Sequence, residues 1–154
     1  MPTINKTVSV QRPQQEVFEY LTQVTRHGEW SPKPWRIEGN PGPLTVGTKW
    51  TSYGWIPGQK EHRNEAQVTE CTPPSRIQWE VTEEKQGQFV NTYVLTPEGS
   101  GTKVERTFQF PPPKGPIRVI FPVFVAVLVK PTIQKGLNLF KQRLESGGAA
   151  SPSA

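Results

Sequence analysis

Polar and apolar residues alternate along most of this chain, and near the C-terminus the hydrophobic period lengthens from two to between three and four. Ile4, Lys6, Val8 and Val10 fall on one face of a predicted first strand, with Thr3, Asn5, Thr7 and Ser9 on the other. The pattern stops at Arg12-Pro13. Proline suits the first turn of a helix, and Val17, Leu21 and Val24 follow at helical spacing beside Phe18 and Tyr20, which predicts a short helix over about 13–24. Residues 25–32 then turn, through a second short helix ended by Gly28 or Pro32. From Trp35 the pattern is strand. Trp35 to Glu38, Val46 to Ile56, Lys60 to Cys71, Arg76 to Glu83, Gln88 to Thr96 and Lys103 to Phe110 are separated by turn-forming stretches at Asn40 to Pro43, Pro57-Gly58, Pro73-Pro74, Glu84 to Gly87 and Pro97 to Gly101. This is the spacing of an antiparallel meander.

The stretch from Lys114 to Ser146 supplies the cover that such a sheet needs. Ile133, Leu137, Phe140 and Leu144 line one helical face and leave Lys135, Lys141, Gln142 and Arg143 to water. Pro122 and Pro131 predict a kink or two segments, with the regular part at about 131–146. The run Val119 to Val129 is apolar on all sides. We expect it to be buried in the core, with contact to a membrane surface as the alternative. The fold class expected is α+β, about seven curved antiparallel strands closed over a long C-terminal helix with a cavity between. Residues 1–146 form one ligand-binding domain in this reading, and 147–154, GGAASPSA, a disordered tail.

Composition narrows the chemistry. The chain of 154 residues has 18 basic and 13 acidic residues, a net charge of +5, and no basic block, so no nucleic-acid partner is expected. Every acidic residue is glutamate, which excludes an aspartate nucleophile or an aspartate-oriented histidine. His27, His62 and the single cysteine, Cys71, stand in no metal-ligand spacing, so no metal and no cofactor is expected. The glycine-containing stretches NPGPLTVG and PEGSG match no phosphate-binding fingerprint, and no serine or cysteine sits in a nucleophile motif. One cysteine forms no internal bridge, the N-terminus carries no signal pattern, and the 11-residue apolar run is shorter than the ~20 needed to span a bilayer. A cytoplasmic location is the expectation. The oligomeric state is left open.

The order and spacing of several pieces resemble the START-related lipid-binding superfamily, SRPBCC, and within it the polyketide cyclase/dehydrase-like branch. These are VSVQRPQQEVFEYLTQV at 8–24, EWSP at 29–32, VGTKW at 46–50, VTECTPPSRIQWEV at 68–81, YVLTPEGSGTKV at 93–104 and LNLFKQRLE at 137–145. The resemblance covers Thr3 to Glu145 and implies the helix-grip fold with a ligand cavity between sheet and helix. Many relatives carry an aspartate after the first helix where this chain has Gln23, so a changed cap or turn is expected there.

Alternation suggests which strand residues face that cavity. Trp50 and Ser52 form one set; His62, Asn64, Ala66 and Val68 another; Ile77, Trp79 and Val81 a third; Phe89, Asn91, Tyr93 and Leu95 a fourth; Val104, Arg106, Phe108 and Phe110 a fifth. From the helix come Ile133, Gly136, Leu137 and Phe140. The candidate ligand-binding residues are Trp50, Ser52, His62, Asn64, Trp79, Asn91, Tyr93, Arg106, Phe108, Ile133, Gly136, Leu137 and Phe140. Arg106 would meet an acidic group of a hydrophobic ligand while Asn91 and His62 orient it. The plainer reading takes precedence: Arg106 pairs with an internal glutamate, and His62 and Asn64 lie in water near a strand end. Trp50 reads as core, and Tyr53 and Trp55 as either core or pocket mouth. Glu83 and Glu84 read as a solvated pair in a turn. Gly136 within the helix costs about 1 kcal/mol relative to alanine, offset by room for a ligand or by close strand packing.

The leading functional expectation is a carrier of a small hydrophobic or aromatic molecule such as a lipid, polyketide or isoprenoid. The first alternative is a cyclase or dehydratase in which Arg106 stabilises an enolate and His62 moves a proton. The second is a membrane-surface or partner-binding module using Val119 to Val129.

Overall fold

The computed structural model of the protein describes residues 2–56, 59–83 and 87–147. The expected turn at Pro57-Gly58, most of the expected break at Glu84 to Gly87, and the tail from residue 148 onward lie outside the described residues. Seven strands form one antiparallel sheet: β1 (Thr3–Val10), β2 (Trp35–Glu38), β3 (Lys49–Ile56), β4 (Gln59–Thr72), β5 (Arg76–Glu83), β6 (Gly87–Glu98) and β7 (Gly101–Gln109). Their spatial order is β1-β7-β6-β5-β4-β3-β2, so a meander from β2 to β7 is closed by β1 returning to lie beside β7. Between β1 and β2 stand helix α1 (Gln14–Leu21) and a 3-10 segment, Val24–Trp30. The C-terminal helix α2 runs from Phe121 to Glu145.

Several bounds differ from the sequence expectation, each for a local reason. Helix α1 ends at Leu21 rather than Val24, where the Thr22 hydroxyl donates to the Phe18 carbonyl (2.9 Å) and the chain tightens into the 3-10 turn. Gln23 stands before that turn and supplies no side-chain cap. Strand β3 starts at Lys49, not Val46. Thr48 N–H closes a turn on the Thr45 carbonyl (3.0 Å), which leaves Val46 exposed.

Helix α2 packs its C-terminal half into the core. Leu137 and Leu144 are fully buried and Phe140 nearly so, against Val10, Val17, Tyr20, Leu21 and Trp30. The helix end is also tied to the first strand. Lys141 Nζ donates to the Ser9 carbonyl (2.6 Å) and to Glu145 (2.7 Å), so Lys141 is not left to water as expected. Glu145 in turn accepts from Gln11 N–H (2.8 Å).

The two prolines do not split α2. Pro122 sits in its first turn, where a missing N–H costs nothing. Ahead of Pro131 the helix widens into a π turn over Val125–Val129, and Lys130 N–H donates to the Val125 carbonyl five residues back. That widening accommodates the carbonyls that the proline ring would crowd. It also keeps Phe121, Val125, Val129 and Ile133 in one inward row, because spacing by four in a pure α-helix drifts by about 40° per step.

The run before Pro131 corrects the expectation of a core helix. Only Val125 is buried, while Val119 is 82% exposed, Val123 64% and Val127 70%. This half of α2 meets the sheet along one row and overhangs it elsewhere.

At the β6–β7 turn, Gly101 lies against β1 so closely that a Cβ would stand 2.5 Å from the Val10 carbonyl oxygen. Gly101→Ala is therefore expected to destabilise the fold by about 1–3 kcal/mol, as overpacking against rigid backbone does. Urea denaturation of the variant against the parent protein would measure it.

Candidate functional site

The concave face of the sheet, α2 and the 3-10 segment enclose a cavity of about 410 Å³. β3 to β7 pair antiparallel, with register shifts between Gly54 and Ile56 and between Val68 and Glu70, and away from those shifts every second residue of each strand points into the cavity. Trp50 and Ser52 lie opposite Ala66 and Asn64; Trp79 lies opposite Asn91; Tyr93 lies opposite Arg106. All the sequence-derived candidates border the cavity except Leu137 and Phe140, which pack beneath it in the core. Val68, Ile77, Leu95 and Val104 share their strands' inward face but also lie in that core, past the end of the cavity.

Arg106 has no glutamate partner among the described residues, which corrects the expected ion pair. Its Nε and Nη2 donate to Asn91 Oδ1 (3.2 and 2.7 Å), and its guanidinium lies 5.5 Å from the Tyr93 ring centre and 5.7 Å from that of Phe108. Asn91 and the two rings fix the guanidinium's place without neutralising it.

The carboxylate pair in the wall belongs to His62. Its Nε2 stands 3.1 Å from Glu83 Oε1, with side chains only 8% and 4% exposed. Glu83 is thus a buried wall residue at the end of β5, not half of a solvated turn pair, and His62 is not in water. Glu84 lies outside the described residues. Asn64 is half-buried, as expected of a strand-end residue only in part, and its amide donates to the His62 carbonyl (3.1 Å).

Parity alone misplaces one aromatic, Trp55. The β3–β4 register shifts between Gly54 and Ile56, and this bulge brings Trp55 to the cavity margin beside Lys33, whose Nζ is 4.7 Å from the ring centre. Tyr53 faces the other way, under the Arg36 guanidinium at 4.0 Å. Trp50 is both core and wall, being 7% exposed.

The 3-10 segment adds residues that strand alternation could not reveal. Arg26 and Tyr20 both bond Glu29 (2.8 and 3.1 Å), which pins the segment to α1 and holds the Glu29 carboxyl below its usual pKa, chiefly through the Arg26 hydrogen bond. His27 and Trp30 are thereby turned onto the cavity wall. His27 Nε2 donates to the Leu21 carbonyl (2.7 Å), and its ring packs against Trp30, Trp35 and Trp79 at 4.9, 5.6 and 5.7 Å. A histidine one short turn ahead of a tryptophan was the only sequence signal for this cluster.

Burial lowers the His27 pKa to about 4, with the Arg106 charge adding to the effect against the Leu21 hydrogen bond. The ring is neutral at neutral pH. Gly136 of α2 approaches the segment too: a Cβ would lie 3.5 Å from Pro32 Cδ and 3.7 Å from the Trp30 carbonyl. The close neighbour is a loop, not a strand, and an alanine would make ordinary contact there.

A seven-stranded antiparallel sheet curved around a C-terminal helix, with a cavity held between them, is the helix-grip architecture of START-related proteins. The chain belongs to the polyketide cyclase/dehydrase and lipid transport family, whose model matches residues 1–145. Solved structures share the fold at low identity. A Thermus thermophilus protein aligns with a TM-score of 0.75 at 16% identity, over 97% of this chain and 100% of that one. A Chromobacterium violaceum protein gives 0.71 at 15%, over 94% and 99%. A protein of the dynemicin biosynthetic locus gives 0.66 at 18%, over 94% of this chain and 48% of its own length. No curated protein matches the sequence.

The His27 environment predicts a pH response. The folded pKa lies near 4 against 6.5 for the free side chain, so the unfolded chain takes up the proton first as pH falls. Stability should fall between about pH 6.5 and 4, by up to about 3 kcal/mol. His27→Gln, which keeps a donor toward the Leu21 carbonyl, should remove that part of the pH dependence in denaturation curves measured across the range.

Proposed function

We propose that the protein binds a small hydrophobic molecule with an anionic or carbonyl end in the cavity between sheet and α2, and acts as a carrier for it. The observation that supports this reading is Arg106, a guanidinium held by Asn91, Tyr93 and Phe108 with no carboxylate partner among the described residues, inside a largely aromatic wall. A cavity of about 410 Å³ lies in the range that small-molecule sites occupy, and few polar groups among apolar walls is their usual composition. The ligand's body would displace water from Trp50, Trp79 and Phe108, while its oxygen would accept from the guanidinium. Ser52, Asn64 and Gly136 border the same space and would limit the ligand's shape. The family's description, which includes lipid transport, is in keeping with such a ligand.

The His62–Glu83 pair favours a second reading, a cyclase or dehydratase acting on a bound polyketide-like chain. A carboxylate 3.1 Å from a ring nitrogen, brought into line by a bound substrate, would orient the histidine as general acid–base catalysis holds its base. Arg106 would then stabilise enolate charge across the cavity.

Native mass spectrometry of the purified protein should reveal a stoichiometric hydrophobic molecule. Dodecanoate should bind, and Arg106→Ala should weaken it by about tenfold or more while leaving dodecanol binding unchanged. Equal loss for both probes, or none for either in a folded variant, would remove Arg106 from the site. For the enzymatic reading, Glu83→Gln should abolish turnover of the extracted ligand while retaining its binding. A carrier would show no turnover to lose.

A further inference from the structure

The apolar surface around the start of α2 has no partner among the described residues. Val119, Ile120, Val123, Phe124, Val127 and Leu128 recur in pairs every four residues, and each is between 40% and 82% exposed. Phe121, Val125 and Val129 between them face the sheet, so the exposed set forms one outward stripe. Ile117, 52% exposed, extends it into the preceding 3-10 turn, Gly115–Arg118. A stripe of this extent on one amphipathic segment marks an interaction surface rather than scattered surface apolarity.

The charge around the stripe is of one sign. From residue 106 to residue 144 the sequence holds seven basic residues and no carboxylate. Lys114, Arg118 and Lys130, all exposed, stand at the two ends of the stripe. Apolar side chains framed by lysine and arginine fit the boundary of an anionic phospholipid bilayer, where the former enter the acyl layer and the latter meet phosphates.

The stripe is also continuous with the cavity. Phe89 and Phe108 of the cavity wall contact each other at 5.7 Å, Phe108 contacts Phe110 at 5.8 Å, Phe110 contacts Phe121 at 5.5 Å, and Phe121 contacts Phe124 at 6.1 Å between ring centres. A row of rings thus leads from the cavity to the exposed surface. A helix long and apolar enough to cross a membrane by composition begins at Phe121, yet its C-terminal half is buried in the core, so the geometry is that of a segment lying on a surface.

We propose that the stripe from Ile117 to Leu128 docks the protein on an anionic phospholipid membrane, with Lys114, Arg118 and Lys130 on the headgroups. Docking of this kind needs no ligand in the cavity, so it stands or falls apart from the carrier and cyclase readings.

The test is co-sedimentation with sucrose-loaded vesicles of phosphatidylcholine containing a quarter phosphatidylglycerol, beside vesicles of phosphatidylcholine alone. The protein should pellet with the first, weakly with the second, and be released by raising the salt, which screens surface charge. Val123→Glu with Val127→Glu should lose at least tenfold in binding. Both side chains are mostly exposed, so the melting temperature should hold. A second variant, Lys114→Gln, Arg118→Gln and Lys130→Gln, changes no apolar residue; it should lose about a hundredfold for the anionic vesicles, at about fivefold per charge.

Three results would overturn the proposal: no pelleting of the unmodified protein with anionic vesicles, full binding by both variants, or dimerisation in light scattering that the glutamate variant abolishes without any vesicle binding. The last would assign the stripe to a second copy of the chain.

Discussion

The structure depends on the burial of one face of α2 against a sheet that bends away from it. Leu137, Phe140 and Leu144 lock the C-terminal half of the helix onto β1, α1 and the 3-10 segment, and the Lys141 and Glu145 bonds fasten its end. A straight helix cannot follow a curved sheet along its whole length. Where they part, between Arg106 and Gly136, the space becomes the cavity; where α2 runs past the sheet, its apolar side chains are left outside. The cavity and the outer stripe are therefore two products of one mismatch in shape.

Polar groups inside such a space must be held by other polar groups, and the ways they are held differ. His62 stands 3.1 Å from the Glu83 carboxylate, and His27 avoids charge by staying neutral against the Leu21 carbonyl. Arg106 has only an amide oxygen and two ring faces, which position it and leave its charge in place. Removing a buried cation from water is costly without a counter-charge, and the proposed anionic or dipolar ligand would supply one to this half-buried guanidinium. The contrast between these four side chains leaves the cavity with one polar region whose groups partner each other and another, at Arg106, without a carboxylate among the described residues.

Most of the fold was legible as alternation between turn signals. β2 and β5 run over the residues expected: Pro34 and Gly39 bracket the first alternating run, and Ser75 stands directly before the second. The inward strand faces followed from the same parity, and it failed at Trp55, where one bulge residue reverses it. Glu83 was misread because a charged residue at a strand end is ordinarily solvated, and only the neighbouring strand brings His62 to it. His27 and Trp30 were hidden because a 3-10 turn has no reliable period. The apolar run before Pro131 was misread for another reason: hydrophobicity says that a segment prefers to leave water, and says nothing about where the sheet beneath it ends.

The excess of basic residues around α2 acts before any contact is made. With seven basic residues and no carboxylate between 106 and 144, the remainder of the chain holds eleven basic and thirteen acidic residues. The molecule therefore carries an electric moment as well as a net charge. In the field of a charged surface it would experience a torque, presenting one end before diffusion has brought the two together, and raised salt would let it tumble freely again.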